Sequence, residues 1–470
     1  MAYLNNKYLF FILIIIANVI LKSFFLDITP FWYDEMISIK DTQLDFGHIK
    51  HEAEWDNNPP FYYYCLWVWH SIIPISEFNS RFLSVLFVAI SIGLFYLFAR
   101  KNFDNRTAVV SAVLLTVSNF ILFYSQETRA YSLVLLLAII STTQFFKYLK
   151  EPKVLNLIVL SFVNFLIIYT HYLAGLIVFV QYLIILFFHR KKYVSFFAIQ
   201  TLIIVGFVLL RFTKKQFLNI LNFNKKDDFW LEPAGFKDLI SGLSYLFYNR
   251  LTAAVVIAVL VFFTFRYFTK KVEDADRAKL YCLMLGFFSI FFLFIIGSFK
   301  PMFLPRYLIF CIPFATVLFV HQLFSFKKIG IIIIILLTGF EVYSVDLVKK
   351  WPSDYRSLSQ VIKGNKRDND IVIINTSDNL GLFLYYSYGK FLNYKLVDSI
   401  CKVNNIFAMN DATALSKINP TKDARIFLVQ SYHNIKNNTN PIEKHFITRN
   451  KKVFSTKFYK GIEFTIFSGQ

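Results

Sequence analysis

Long, nearly uncharged apolar runs recur along the chain, and they constrain its fold more than any other feature. Phe10–Ile20, Val154–Ile168 and Ile329–Leu337 all read this way. About 20 apolar residues cross the hydrocarbon core of a bilayer. Composition agrees: 56% of residues are hydrophobic and 17% charged, against about 45–50% apolar and about 25% charged in soluble domains. The expected fold class is a multi-pass α-helical membrane protein.

The first run, preceded by Lys7 and followed by the bulky Leu21-Lys22-Ser23-Phe24-Phe25, reads as a retained first span rather than a cleaved signal peptide. Further spans are expected near 81–100, 107–125, 129–148, 154–170, 171–189, 193–212, 249–268, 279–299, 305–325 and 329–347, about eleven in all. With a cytoplasmic N-terminus, every short basic cluster falls inside: Arg100, Lys101 and Arg106; Lys147, Lys150 and Lys153; His189 to Lys192; Arg266 to Arg277; Lys327 and Lys328. That agreement requires Pro59–Ser76 to lie at the membrane interface, as its aromatic Phe61-Tyr62-Tyr63-Tyr64 run suggests. The expected organisation is a membrane domain over 1–350, with juxtamembrane helices in a first external loop at 27–80. A small extracytoplasmic α/β domain over 351–470 follows, with strand-like Asp370–Asn375, Arg425–Gln430 and Lys457–Phe467 and a helical Leu380–Tyr388.

Fifty Lys+Arg against thirty Asp+Glu give a net charge of +20. Basic inner loops account for it, and no groove-reading motif points to nucleic acid. The spacing of Cys65, Cys282, Cys311 and Cys401 suggests neither a zinc site nor a disulfide framework.

Unusual polar residues gather on the expected outer side, at the ends of apolar spans. They are Asp34-Glu35, Asp56-Asn57-Asn58-Pro59-Pro60, Tyr124-Ser125-Gln126-Glu127-Thr128-Arg129-Ala130-Tyr131, His171-Tyr172, and Lys300 with Pro305-Arg306-Tyr307. Ionisable groups at membrane depth are costly and mark function. Singly, each has a bland reading: a solvated acidic turn, an aromatic belt, a snorkelling Arg, a structural His. Asp34-Glu35 and Asp56–Pro60 share the first external loop, so four segments with complementary chemistry on one side point to a reaction site. A carboxylate there can take a proton from an acceptor hydroxyl. Cations can hold an anionic leaving group.

These runs, together with Arg81-Phe82-Leu83-Ser84, resemble the C-type membrane glycosyltransferases that include protein O-mannosyltransferases and aminoarabinose transferases (glycosyltransferase family 39-like), over roughly residues 1–350. The resemblance implies transfer of a sugar from a polyprenyl-phosphate donor to an acceptor hydroxyl on the outer side of the cell membrane. The acceptor is a glycan, a lipid or a protein. It implies Asp34 as general base, with Glu35 positioning the acceptor or Asp34. Arg306, Arg129, Lys300 and Arg81 become the donor-phosphate ligands. Gln126, Glu127, His171, Tyr172, Asp56, Asn58 and Tyr307 become sugar or acceptor contacts. No metal is expected to be obligatory, although Asp34, Glu35, Asp56 and Glu127 offer oxygen ligands suited to Mg²⁺ or Mn²⁺. The alternative is a flippase or transporter for lipid-linked saccharides, which calls for mid-span charges and internal repeats. An O-antigen ligase or polymerase, which would carry its catalytic loop late in the chain, and a structural envelope protein are further alternatives.

Overall fold

A computed structural model of the chain describes residues 2–43, 46–47, 49, 59–188, 194–211, 232–247, 250–269, 277–348, 354–375, 379–389, 394–409, 415, 418, 423–431, 441–448, 453–459 and 462–467. The chain divides into two compact units: Met1–Phe24 with Asp45–Leu347, and Phe25–Leu44 with Val348–Gln470.

In chain order the helices up to residue 343 are α1 (Ala2–Ser23), α2 (Tyr33–Thr42), α3 (Phe61–Ile72), α4 (Glu77–Asn102), α5 (Asn105–Val117), α6 (Asn119–Ser125), α7 (Tyr131–Lys150), α8 (Val154–Ile168), α9 (Gly175–Phe188), α10 (Val194–Arg211), α11 (Phe236–Leu246), α12 (Arg250–Thr269), α13 (Arg277–Leu283), α14 (Ser289–Phe299), α15 (Ile312–Ser325) and α16 (Lys327–Tyr343). All but α2 belong to the first unit. A π turn, Met284–Phe288, joins α13 to α14, and a 3₁₀ turn, Pro305–Cys311, leads into α15. Among the described residues, Glu77–Asn102, Tyr131–Lys150, Arg250–Tyr267, Arg277–Phe299 and Pro305–Ser325 are long and apolar enough to cross a membrane, and α5 with α6 adds a sixth as a bent pair. The 12-residue α3 is about 18 Å long at about 1.5 Å per residue. A bilayer core is about 30 Å thick.

Local chemistry sets the breaks. Ser76, Asp104 and Ser118 cap α4, α5 and α6 by accepting from the amides of Asn79, Thr107 and Ile121. The run expected as one span at 107–125 is two helices that meet at 58°. The Ser118 cap starts the second, and Thr116 Oγ1 bonds back to Ala112 O at 2.8 Å, a contact that bends helices. The π turn brings Gly286 so close to α15 that an added Cβ would overlap the Ala315 backbone. Deep in the unit, Ser141, Ser161, Asn164, Gln181 and Gln200 bond one another at 2.6–3.1 Å across α7, α8, α9 and α10. Tyr281 of α13 adds a 3.0 Å contact to Thr142 of α7. Apolar side chains gain little from meeting each other in lipid, so satisfied polar links of this kind select helix partners.

The second unit continues with α17 (Tyr355–Asn365), β1 (Ile371–Asn375), α18 (Leu380–Tyr388), α19 (Tyr394–Val403), β2 (Ile406–Ala408), β3 (Ile426–Ser431), α20 (Pro441–Thr448), β4 (Val453–Tyr459) and β5 (Ile462–Phe467). The sheet order is β2-β1-β3-β5-β4, with β1 parallel to both neighbours and β5 antiparallel to both of its own. All five residues of β1 are buried, as a central parallel strand requires. The single strand expected over Lys457–Phe467 is instead the last part of one strand and all of its hairpin partner. Asp370, just before β1, accepts from Arg425 Nε at 3.1 Å, Arg425 Nη2 at 2.6 Å and the amides of Arg367 and Arg425. Burial opposes its charge, but these donors hold its carboxyl below the usual range.

The segment between α1 and residue 44 packs within this second unit. Tyr386 Oη accepts from Phe31 N–H at 2.7 Å. Arg356 Nη1 and Nη2 each donate to Asp27 O at 3.1 Å, and the Arg356 guanidinium lies 5.8 Å from the Tyr386 ring centre. Helix α2 buries Met36 and Ile39 on one face.

Candidate active site

Apart from Arg81 in α4, the expected residues of the first unit come from three turns, each set by local sequence. After α6 the polar Gln126-Glu127-Thr128-Arg129 run interrupts the apolar pattern. Arg129 N donates to Glu127 O at 2.9 Å, and Ser84 Oγ of α4 clasps the same carbonyl at 2.7 Å. Between α8 and α9, His171 N donates to Ile167 O at 3.0 Å, and Phe61 N of α3 donates to Tyr169 O at 3.1 Å. Pro305 starts the 3₁₀ turn that carries Arg306 and Tyr307, fitting a ring that has no N–H to lose at a helix start. Residues 22–24, at the end of α1, receive the Gln126 side chain.

These turns meet at one end of the bundle. The His171 and Tyr307 rings lie 4.8 Å apart, with Tyr131 at 6.2 and 6.3 Å from them. The Arg306 guanidinium sits 5.6 Å from the Tyr307 ring centre and 5.9 Å from that of Tyr131, within cation–π range. A narrow cleft is lined by Pro59, Tyr62, Tyr63, Arg129, Tyr131 and His171. Burial, and then the positive charges of Arg129 and Arg306, pull His171 down to about 3. At neutral pH it is therefore an uncharged imidazole that feels the charge of both guanidinium groups.

The structure brings Arg129, His171, Arg306 and Tyr307 together, and adds Glu127 through Tyr245. The Tyr245 phenol is raised by burial; a hydrogen bond with Tyr124 pulls the other way, Glu127 adds to the rise and Arg306 opposes it. Tyr62 and Tyr63 belong to the aromatic 59–76 segment expected to wall the cavity, whereas Tyr245, on α11, was not marked by the sequence; an isolated Tyr in an apolar helix carries no signal of its neighbours. Gln126 is buried, and its Nε2 donates to Lys22 O at 3.3 Å and Phe24 O at 3.0 Å, which makes it a strap between turns. Arg81 is fully buried on α4, one turn before Ser84. Tyr172 and Lys300 are half-buried beside their turns, and Lys300 N closes α14 on Ile296 O at 2.9 Å.

Asp34 and Glu35 lie in the second unit, in the first turn of α2. Glu35 is fully buried, and its Oε2 accepts from Trp32 N at 3.3 Å, locking the helix start. Asp34 is half-buried, and its carbonyl accepts from Ser38 Oγ. Asp56 and Asn58 lie outside the described residues. Among the described residues no group of three His, Cys, Asp or Glu side chains is placed to hold a metal ion.

Residues 57–212 match the family model described as dolichyl-phosphate-mannose-protein mannosyltransferase. ArnT from Cupriavidus metallidurans is similar in structure both in its apo state (12% identity, 99% of this chain and 98% of that one, TM-score 0.55) and bound to undecaprenyl phosphate (11%, 97% of each, 0.56). The oligosaccharyltransferase AglB from Archaeoglobus fulgidus, in complex with an inhibitory peptide and a dolichol-phosphate, matches at 9% identity over 91% of this chain and 70% of that one, with TM-score 0.51. A comparison with curated protein sequences finds no match. The chain is thus a membrane protein with the fold of the C-type glycosyltransferases, and its residues 57–212 carry the sequence pattern of the dolichyl-phosphate-mannose-protein mannosyltransferases.

Proposed function

We propose that this chain transfers a sugar from a polyprenyl-phosphate donor to an acceptor hydroxyl at the outer face of the cell membrane, with its N-terminus in the cytoplasm, about eleven spans and an extracytoplasmic C-terminal domain. One observation carries the donor assignment: the charges of Arg129 and Arg306 both reach a neutral His171 at one end of the bundle. Guanidinium groups form charge-assisted, bidentate bonds with phosphate oxygens. As the sugar leaves, negative charge grows on the lipid phosphate, and preorganised cations favour that transition state over the ground state. Arg81 and Lys300 are the further cations assigned to this phosphate. The structural neighbours solved with undecaprenyl phosphate and with a dolichol-phosphate support the same donor class.

Asp34 is assigned as the base that takes the acceptor proton, with Glu35 holding the turn that carries it. Glu127, His171, Tyr172, Tyr307, Asp56 and Asn58 are assigned to sugar and acceptor hydroxyls, and Gln126 to holding the Arg129 turn. The reaction is assigned no obligatory metal, because the leaving monophosphate has guanidinium partners.

The test is transfer of labelled sugar from a synthetic polyprenyl-phosphate sugar by the purified protein in proteoliposomes. Transfer that Arg129→Ala and Arg306→Ala both weaken supports the reading. Transport of intact lipid-linked sugar across the bilayer without transfer would establish the flippase instead.

A further inference from the structure

Lys22, in the last turn of α1, is fully buried, and no step above uses it. A buried ammonium is costly unless it is bonded. Its Nζ donates to Thr116 O at 2.6 Å. That carbonyl is open because α5 stops at Val117 and α6 departs at 58°; in an unbroken helix it would accept from residue 120. One turn earlier in α1, Asn18 Nδ2 donates to Thr116 Oγ1 at 2.9 Å. Helix α6 then runs only to Ser125, where the Gln126 side chain returns to α1 and donates to Lys22 O. A single residue therefore holds both ends of α6. Its side chain takes residue 116, and its carbonyl takes residue 126. The next residues along the chain are Glu127, Thr128 and Arg129.

We propose that Lys22 is a positioning residue, which bridges the break in the bent span and so fixes the Gln126–Arg129 turn with Arg129 beside His171. The kinetic consequence rests on the donor-phosphate reading of Arg129; the geometric claim does not.

The full-length protein carrying Thr128→Cys gives a direct test, because position 128 is fully buried. Alkylation of the introduced thiol, located by mass spectrometry, is compared with native Lys22, Lys22→Arg and Lys22→Met. The buried native Cys282 and Cys311 report general loosening in the same samples. Lys22→Met should raise alkylation at 128 by about tenfold, the factor that one lost charge-assisted hydrogen bond gives. Cys282 and Cys311 should stay protected, and Lys22→Arg should restore protection at 128. Continued protection at 128 in Lys22→Met, or simultaneous opening of all three thiols, overturns the proposal. In the transfer assay, Lys22→Met should raise the apparent KM for the polyprenyl-phosphate sugar roughly tenfold, and add little in an Arg129→Ala background. Additive losses overturn the coupling to Arg129. A protein that binds no polyprenyl phosphate defeats the donor reading, while the alkylation result still decides the role of Lys22.

Discussion

The phenol oxygen of Tyr386 accepts the backbone N–H of Phe31 at 2.7 Å. This bond ties the start of the acid-bearing α2 to α18, an element of the C-terminal unit far along the chain. One hydrogen bond is worth about 1 kcal/mol net. Tyr386→Phe should therefore lower kcat for transfer about fivefold while leaving the donor KM unchanged, because Asp34 and not the phosphate ligands loses its mount. Steady-state kinetics checks this, and an unchanged kcat would refute it.

Asp34→Asn removes a proton acceptor and keeps the side-chain volume. If Asp34 is the base, transfer should fall by about 10²–10⁴-fold, the usual contribution of a positioned base. The variant should elute and melt as the native protein does. Full activity in the asparagine variant would end the assignment.

Arg129→Ala and Arg306→Ala each remove a charged hydrogen-bond donor worth about 1.5–3 kcal/mol. Each should raise the apparent KM for the polyprenyl-phosphate sugar by roughly 10- to 100-fold and leave the acceptor KM near its native value. Arg306→Lys keeps the charge but loses the planar fork and should fall between. The measurement is donor saturation at fixed acceptor, and equal losses on both substrates would count against phosphate binding.

His171 is held at about 3 in the folded protein by burial, with Arg129 and Arg306 adding to the effect. The unfolded chain returns it to about 6.5. Below that pH the unfolded state binds a proton that the folded state refuses, so stability is complete above pH 6.5 and declines as pH falls toward 3. The decline from this group is about 1.4 kcal/mol per pH unit within that window. Thermal unfolding between pH 7 and pH 5 should therefore be shallower in His171→Gln than in the native protein, and identical slopes would contradict the stated environment.

Gly286 faces the Ala315 backbone with no space for a methyl group, whereas nothing lies within 4 Å of a methyl placed on Gly339. Gly286→Ala should destabilise by about 1–3 kcal/mol, the range for overpacking. Gly339→Ala should be neutral or slightly stabilising, since Ala is the better helix former. Thermal unfolding of the two variants side by side tests the close approach of the π turn to α15, and matching melting temperatures would deny it.

Much of the helical layout was legible because apolar runs report it directly: observed α4, α7, α8 and α14 begin or end within a few residues of the expected spans. The break at Ser118 was not, because a Ser in an apolar run is as compatible with a continuous helix as with a cap. The convergence of Arg129, His171, Arg306 and Tyr307 was legible as three polar interruptions at span ends. The contribution of Tyr245 was hidden, since its hydrogen bond with Tyr124 joins helices distant in the chain.

By itself the sequence determined that the chain makes apolar helices, where most of them stop, and which turns carry charge, because hydropathy, capping and helix breaking act over a few neighbouring residues. Only the tertiary structure decided that α2 packs with the C-terminal sheet unit, that Gln126 straps two turns together, and that Lys22 holds a broken span. Those choices depend on which buried donor finds which open acceptor, a pairing set by packing between segments far apart in the chain.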